Sequence, residues 1–332
     1  MAIKLFLRTA MIVMMFVLAT PAWSAAEQVG EEWNAVSLRW ENDAFGGTDE
    51  NYTNGMSLAL ATAGGGLLGG VWDIGGKREG KRSATYELSQ LVFTPSNLHL
   101  TIPDPSDRPY AGILYLGLGT HLQQEESLHT LKLIAGVVGP VSMGKAAQTF
   151  THGVLGYTLP EGWDYQIKNE PVINLLYEYR RKLTLTPPET AVGIEIIPLA
   201  GGMLGNYLTQ AQIAGQLRVG YNLPDDFGPT VLRGAGFLPV SGGGRAGHGW
   251  GFYAFAGGGG SLVLRNITLD GNTFADSRHV ERRPLLPEAQ FGASLCLSRL
   301  QMTFSYVMMG MEFYGQKVRE DYGSVIISYL FH

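Results

Sequence analysis

Short stretches in which apolar and polar residues alternate are the feature that most constrains how this chain can fold. Near its C-terminal end, residues 325–331 carry an apolar or aromatic side chain at every second position. Ser324 and Ser328 lie on the other face, although Ile326 and Leu330 interrupt the pattern. A period of two residues is typical of a β-strand. Similar segments cover residues 34–43, 52–62, 83–93, 110–122, 128–138, 171–183, 190–202, 210–221, 248–268, 287–297, 300–311 and 321–331.

Several of these segments have about ten residues, the length of a tilted strand that crosses a bilayer. A closed barrel with an even number of strands is the form in which β-structure spans lipid without unpaired edges. We therefore predict an all-β fold, a 12-stranded antiparallel transmembrane β-barrel with a short helical segment in an outer loop. A soluble β-sandwich is the alternative, and residues 248–268 could form a hairpin instead of one long strand.

The N-terminal segment predicts export from the cytoplasm. Lys4 and Arg8 precede an apolar run at residues 11–18, and residues 22–26 include small side chains suited to cleavage. The run is shorter than the roughly 18 to 20 residues of a spanning helix. We interpret residues 1–26 as a signal peptide and residues 27–332 as one barrel domain.

Composition limits the partners and the chemistry. The formal net charge is −5 and 16% of the residues are charged, which gives no reason to expect nucleic acid as a partner. The single cysteine, Cys296, excludes an internal disulfide and a cysteine zinc cluster.

Twelve strands with both chain ends in the periplasm place alternate connections on opposite sides. The outer connections are then 44–51, 94–109, 139–170, 203–209, 269–286 and 312–320. Two connections on the periplasmic side, 63–82 and 222–247, are longer than is usual for such barrels.

The first hairpin carries polar residues at its outer end. Glu41 and Asp43 share the predicted lumen face of the first strand, and Thr53 begins the same face of the second strand. Asp43 and Thr53 should therefore meet, both pointing inward. Asn42 would point away from Asp43 and could join them only through a bulge or the strand end. The alternative is that these are ordinary turn and rim residues.

His152 lies in the longest stretch without a strand pattern. Residues 142–155 could form a short helix with His152 and Gln148 one turn apart, and with Met143, Ala147, Phe150 and Val154 on one side. A histidine at the outer rim can act as a general base because its usual pKa is near neutrality. A solvated or structural histidine is the alternative.

Two other functions remain open at this point. A serine nucleophile could be Ser57 or Ser96, but no Gly-x-Ser-x-Gly motif supports either. A narrow pore would have a lumen lined by charges of both signs instead of one polar rim.

The sequence resembles the outer-membrane lipid A 3′-O-deacylase family over nearly the whole mature chain. The matching pieces are Asn42-Asp43, Tyr52-Thr53 with Gly55, Phe93-Thr94-Pro95-Ser96, Asp107-Arg108, and the run around His152 followed by Trp163, Gln166 and Ile167. The resemblance implies an outer-membrane barrel that acts on lipid A, or lipopolysaccharide, among outer-membrane lipids.

The activity that it implies is calcium-dependent hydrolysis of the ester that carries a 3′-linked acyloxyacyl group, at the outer leaflet. By the same match His152 would be the base, Asn42, Asp43 and Thr53 would be its partners in the site, and Asp43 would approach the calcium ion.

The chain departs from the family pattern at two positions. A lysine proposed to stabilise the oxyanion is missing, since residues 83–130 contain none, and Leu100 or Thr101 falls there. An acidic residue after the histidine is replaced by Tyr157 or Thr158. Arg108 could supply the missing cation. A non-catalytic barrel, either a narrow pore or a lipid-binding protein with a decayed site, is the alternative function.

Overall fold

The structure is a computed structural model that describes residues 34–43, 51–187, 190–230, 237–239 and 249–331. The signal peptide predicted for residues 1–26 lies outside these ranges. Within them, no helix is long and apolar enough to cross a membrane.

Antiparallel strands make up most of the described chain. Their bounds are β1 Asn34–Asn42, β2 Asn51–Ala63, β3 Lys81–Thr94, β4 Ala111–Gln124, β5 Ser127–Val138, β6 Glu170–Arg181, β7 Leu183–Thr184, β8 Val192–Gly205, β9 Leu208–Tyr221, β10 Trp250–Asn266, β11 Leu285–Leu297, β12 Leu300–Met309 and β13 Glu320–Phe331. The helices are α1, Gly144–Leu155, and the single turn α2, Ile267–Asp270. Short 3-10 segments cover Gly66–Asp73, Pro140–Ser142 and Gly162–Tyr165.

The sheet closes on itself. β1 pairs with β13 along its whole length, from Asn34 opposite Phe331 to Asn42 opposite Gly323. β6 and β7 both pair with β8, so they are two parts of one strand in the wall. The structure is therefore a closed 12-stranded antiparallel barrel, which confirms the predicted fold.

Each strand has a lumen face and an outward face, as the alternation predicts. In β1, Ser37 is 3% exposed, whereas its neighbour Leu38 is 45% exposed. The Ser37 hydroxyl bonds that of Ser328 across the closing pair, at 2.7 Å. β10 is one strand of 17 residues, so the hairpin alternative for 248–268 is wrong.

Loop lengths differ between the two ends of the barrel. The end that holds the start of β1 and the end of β13, here called the periplasmic end, has two-residue connections at 125–126 and 298–299. Longer segments at the other end, the outer end, cover 95–110, 139–169, 267–284 and 310–319. The outer connection predicted at 203–209 is only residues 206–207, because β8 and β9 both extend further than their sequence patterns suggested.

Buried ion pairs fill the lumen. Lys132 binds Glu87, and Arg218 binds both Glu195 and Asp226. Their side chains are at most 7% exposed. Charges of both signs therefore line this lumen, but they are paired and sealed from water. A lumen lined by charges of both signs is therefore not by itself a sign of a pore, because in this barrel such charges form buried pairs.

Part of the long periplasmic connection after β9 also fills the lumen. Its residues 223–230 and 237–239, here called the plug, enter the barrel, and Phe227 and Phe237 are 2% and 5% exposed. Arg39 lies 4.4 Å from the centre of the Phe237 ring. Arg180 donates to the Phe227 carbonyl at 3.2 Å. The described residues of this connection therefore fill part of the lumen.

Replacing Lys132 with Met should destabilise the barrel, because Glu87 would remain buried without its closest cation. Breaking a buried pair in this way costs about 3–5 kcal/mol. We expect the temperature at which the fast-migrating folded band disappears from gels to fall. It should recover in Glu87→Gln/Lys132→Met, and it should not change in the exposed control Lys168→Met. A Lys132→Met barrel as heat-resistant as this control would contradict the assigned role.

Candidate active site on the outward face of the barrel wall

Helix α1 packs against the outside of the barrel, not over the lumen. Glu87 in β3 faces the lumen, where it binds Lys132, so the even-numbered residues Gln90 and Val92 face outward. Gln90 donates to the carbonyl of Ser142, just before α1, at 2.6 Å. Val92 is fully buried under this segment. The stretch that contains His152 therefore covers the outward face of the wall near its outer end.

A close backbone approach fixes the helix there. A Cβ atom at Gly112 in β4 would lie only 2.9 Å from the Cα atom of Gly144, the first residue of α1. Behind this contact, Val92, Tyr110 and Trp163 form a buried cluster, against which Ala147 packs. Any larger residue at position 112 would push the helix away from the wall.

The helix turns its polar side to the protein. Gln148 and His152, one turn apart as predicted, are 0% and 2% exposed. The Trp163 indole N–H donates to Gln148 Oε1 at 2.7 Å. Phe150 and Val154 are 73% and 65% exposed, as expected for a helix whose outer surroundings are lipid.

The residues predicted to form one apolar side of this helix therefore face in two directions. Met143, Phe150 and Val154 point away from the wall, whereas Ala147 packs toward it.

The His152 ring is held by one hydrogen bond of clear direction. Its Nδ1 atom is 2.6 Å from the Thr158 carbonyl oxygen, which can only accept, so Nδ1 carries the hydrogen. In the neutral ring, Nε2 then holds the lone pair. Gly156 makes this contact possible: its φ of 73° ends α1 and turns the chain back past His152. The Tyr157 ring stands edge-on to the imidazole, 5.7 Å between centres.

A β-bulge in β2 brings Thr53 to the same face. Tyr52 pairs with Phe93 and Asn54 pairs with Val92, so Thr53 is an extra residue without a partner in the register. The Thr53 hydroxyl bonds that of Thr94, on the outward face of β3, at 2.6 Å. The prediction that Thr53 points into the lumen is therefore wrong, since the bulge turns its side chain outward.

Asn42 needs no bulge of its own to join this face. It lies on the outward side of β1, and its amide Nδ2 donates to the Thr53 carbonyl at 2.7 Å. Asp43 is the first residue after β1 and is 1% exposed. Asn42 is the last residue of β1, so of the two expected routes it joins the site at the strand end. The bulge lies in the neighbouring strand β2 and brings Thr53 to Asn42.

Arg108 lies on the other side of the wall. Its guanidinium carbon is 4.8 Å from the centre of the lumen-facing Phe93 ring. Its Nη1 atom is 2.9 Å from a Glu312 oxygen and 3.7 Å from a Glu320 oxygen. Arg108 is fully buried, and Nη2 donates to the hydroxyl of Thr268. The structure therefore does not bring Arg108 to Asn42, Thr53 and the helix.

Sequence reasoning missed Thr94 as a neighbour of the site, whereas it placed Gln148 one turn from His152. Both are fully buried, and each has a polar partner, in Thr53 and Trp163 respectively. Thr94 could have been found only by placing the bulge at Thr53, because a regular β2 would turn Thr53 to the opposite face.

Asp43 is the residue of this site that could take part in holding a calcium ion. Asp43 offers a carboxylate and its neighbours offer carbonyl and hydroxyl oxygens, the donor type that calcium takes. Calcium nevertheless requires six to eight such ligands. No group of three or more His, Cys, Asp or Glu residues suited to a metal ion occurs in the part of the chain that the structure describes.

Comparisons with known proteins identify the family and support the fold. Residues 10–331 match the family described as "Outer membrane protein LpxR". No curated protein matches the chain. The solved structure of LpxR from Salmonella typhimurium is similar with a TM-score of 0.70 and 18% identity, over 90% of this chain and 100% of that chain.

A second solved structure shares less of the geometry. The β domain of the Bordetella autotransporter BrkA has a TM-score of 0.44 and 10% identity, over 92% of this chain and 100% of that one. The match to the family model spans nearly all of the sequence. The chain therefore belongs to the LpxR family of outer membrane proteins, and its location is the outer membrane.

Proposed function

We propose that this protein is a lipid A deacylase that hydrolyses the ester of the 3′ acyloxyacyl chain in the outer leaflet, with His152 as the general base. The observation that carries the proposal is the Nδ1–H bond from His152 to the Thr158 carbonyl, which leaves Nε2 as the basic nitrogen. Membership of the LpxR family supports the same class of activity.

The outward position of the site suits a substrate that is itself a membrane lipid. Lipid A is anchored in the outer leaflet by its acyl chains, so its esters lie near the outer end of the barrel wall. The exposed Phe150 and Val154 side chains would place α1 among these chains. Lipid A could then reach the site sideways from the membrane without entering the filled lumen.

The chemistry begins with a water molecule held near His152. Nε2 takes a proton from the water while its oxygen attacks the ester carbonyl, and a tetrahedral oxyanion forms. The oxyanion collapses, the bond from carbon to the sugar oxygen breaks, and the imidazolium returns its proton to that oxygen. The Thr158 carbonyl stabilises the imidazolium because it accepts the Nδ1–H bond throughout.

Hydroxyl and amide donors beside Thr53 would stabilise the oxyanion. In the Thr53–Thr94 pair one hydroxyl donates to the other, so one of the two hydroxyl hydrogens remains available to a further acceptor. The Asn42 amide is fixed next to it by its bond to the Thr53 carbonyl. Donors of this kind contribute roughly 2.7–4 kcal/mol to catalysis. They offer an alternative to the missing lysine and to Arg108.

A serine nucleophile has less support. Ser57 accepts a hydrogen bond from Ser89 in the lumen at 2.7 Å, and Ser96 donates to the Asp107 carboxylate at 2.6 Å. Among the described hydrogen bonds, neither hydroxyl is paired with a histidine. A non-catalytic pore is likewise disfavoured by the buried ion pairs and the plug inside the barrel.

Calcium assistance, with Asp43 as a ligand, is a further part of the proposal. The carboxylate of Asp43 and the neighbouring carbonyl and hydroxyl oxygens are the donor types that calcium takes. When bound, a calcium ion would polarise the ester carbonyl.

Replacing His152 with Gln should reduce lipid A deacylation by about 10²–10⁴-fold, since the general base is lost. Glutamine can still donate to the Thr158 carbonyl, so heat modifiability should be retained. The matched control is His99→Gln, an exposed histidine of the 95–110 loop. Mass spectra of lipid A from cells that produce each variant give the measurement. Undiminished deacylation by His152→Gln would exclude the mechanism.

Removing the apolar surface of α1 should slow the reaction in membranes. We expect Phe150→Ser/Val154→Ser to lower the deacylation rate of lipid A in phospholipid vesicles by about tenfold or more, because apolar burial in lipid is lost. In detergent the same variant should approach wild-type rates.

Phe274→Ser/Val318→Ser, which changes exposed apolar residues in two other outer loops, is the control. Equal losses in this control would show that the α1 surface has no special role.

Chelation tests the metal. If Asp43 holds calcium, EDTA should abolish activity, added calcium should restore it, and Asp43→Asn should need a higher calcium concentration for half of its maximal rate. Asp104→Asn, in an exposed outer loop, should keep the wild-type calcium dependence. Activity that persists in EDTA would remove calcium from the proposal and leave the role of His152 untouched.

A further inference from the structure

The long connection after β2 lies on the outside of the barrel at its periplasmic end. Its 3-10 segment contains Trp72, whose indole N–H donates to the Thr120 hydroxyl at 3.0 Å. In β4 the neighbouring His121 faces the lumen, where it bonds Thr85 and Thr130, so Thr120 faces outward. Residues 64–80 therefore pack on the membrane side of the wall instead of hanging into the periplasm.

Polar contacts hold this segment in one conformation. Arg82 makes two hydrogen bonds to the Asp73 carboxylate, at 2.6 and 2.8 Å, and a third to the Arg78 carbonyl at 3.2 Å. These contacts also lower the pKa of Asp73, chiefly through the hydrogen bonds from Arg82. Gln124 donates to the Glu79 carbonyl at 3.3 Å. The segment is thus tied to the periplasmic ends of β3 and β4.

An aromatic cluster on the outward face continues from Trp72. The His129 ring is 6.1 Å from Trp72 and 4.9 Å from Tyr179, centre to centre. A hydrogen bond of 2.9 Å joins His129 Nδ1 to the Tyr177 hydroxyl. Aromatic rings with a polar edge are typical of the level at which lipid headgroups meet the acyl chains.

Two cations follow Trp72 in the same segment. Lys77 and Arg78 are exposed, and within the described ranges no carboxylate forms an ion pair with them. The hydrogen bond from Arg82 to the Arg78 carbonyl holds Arg78 at the periplasmic end of β3.

Two apolar side chains of the same segment are also exposed. Leu67 and Ile74 are 79% and 73% exposed. A phosphate group bound by the cations would belong to a molecule that can also cover these apolar side chains. A lipid has both parts, whereas a free phosphate ion has only the first.

We propose that Lys77 and Arg78, with the aromatic cluster of Trp72, His129, Tyr177 and Tyr179, bind the phosphate headgroup of an anionic phospholipid in the periplasmic leaflet. The cations contact the phosphate, the rings lie at the glycerol level, and Leu67 and Ile74 contact the acyl chains. This site is at the opposite end of the barrel from His152, and it does not depend on the proposed deacylase activity.

Native mass spectrometry of the full mature barrel in a non-ionic detergent tests this site. The probes are phosphatidylglycerol and phosphatidylcholine with identical acyl chains. We expect the wild type to retain phosphatidylglycerol preferentially, and Lys77→Gln/Arg78→Gln to weaken that binding by about 30-fold, since each basic residue near an anionic lipid contributes about fivefold. Lys168→Gln/Lys317→Gln, which removes two exposed cations at the outer end, is the matched control.

Three results would overturn the proposal. They are equal retention of the two lipids by the wild type, unchanged phosphatidylglycerol binding by Lys77→Gln/Arg78→Gln, and an equal loss in the control. Inorganic phosphate supplies a further test. Displacement of phosphatidylglycerol by an equal concentration of phosphate would assign the cations to a free anion and reject the lipid.

Discussion

The hydrogen-bonded pairing of β1 with β13 is the contact on which the rest of the structure depends. In lipid, an unpaired strand edge leaves backbone groups without partners, at a cost of several kcal/mol each, so the sheet must close. The nine consecutive residue pairs from Asn34 and Phe331 to Asn42 and Gly323 complete that closure. Once the wall is closed, every side chain on a regular strand faces either the lumen or the lipid.

This division separates structural residues from candidate functional residues. Inside, Glu87 with Lys132, and Arg218 with Glu195, are paired and buried, and the plug fills the periplasmic half. Outside, α1 covers the outer end of the wall, and residues 64–80 cover part of its periplasmic end. The charged lumen therefore stabilises the barrel, whereas both binding sites that we propose face the membrane.

Much of the wall could be predicted from sequence, because side-chain alternation is a direct consequence of strand geometry. The closed 12-stranded barrel and the helix around His152 follow from local patterns of this kind. Local patterns did not predict on which side of the wall the site lies. That side depends on the bulge at Thr53 and on the close approach of Gly112 to Gly144. The position of Arg108 was missed because its partner Glu312 lies 204 residues away.

The bulge permits one direct test of the account. Deleting Thr53 should leave Tyr52 opposite Phe93 and Asn54 opposite Val92, so the barrel should still form and remain heat-modifiable. Mass spectra of lipid A from cells that produce the wild type should show loss of the 3′ acyloxyacyl group, and those from cells that produce the deletion variant should not. Deacylation by the variant at the wild-type level, or none by the wild type, would contradict a deacylase site on the outward face.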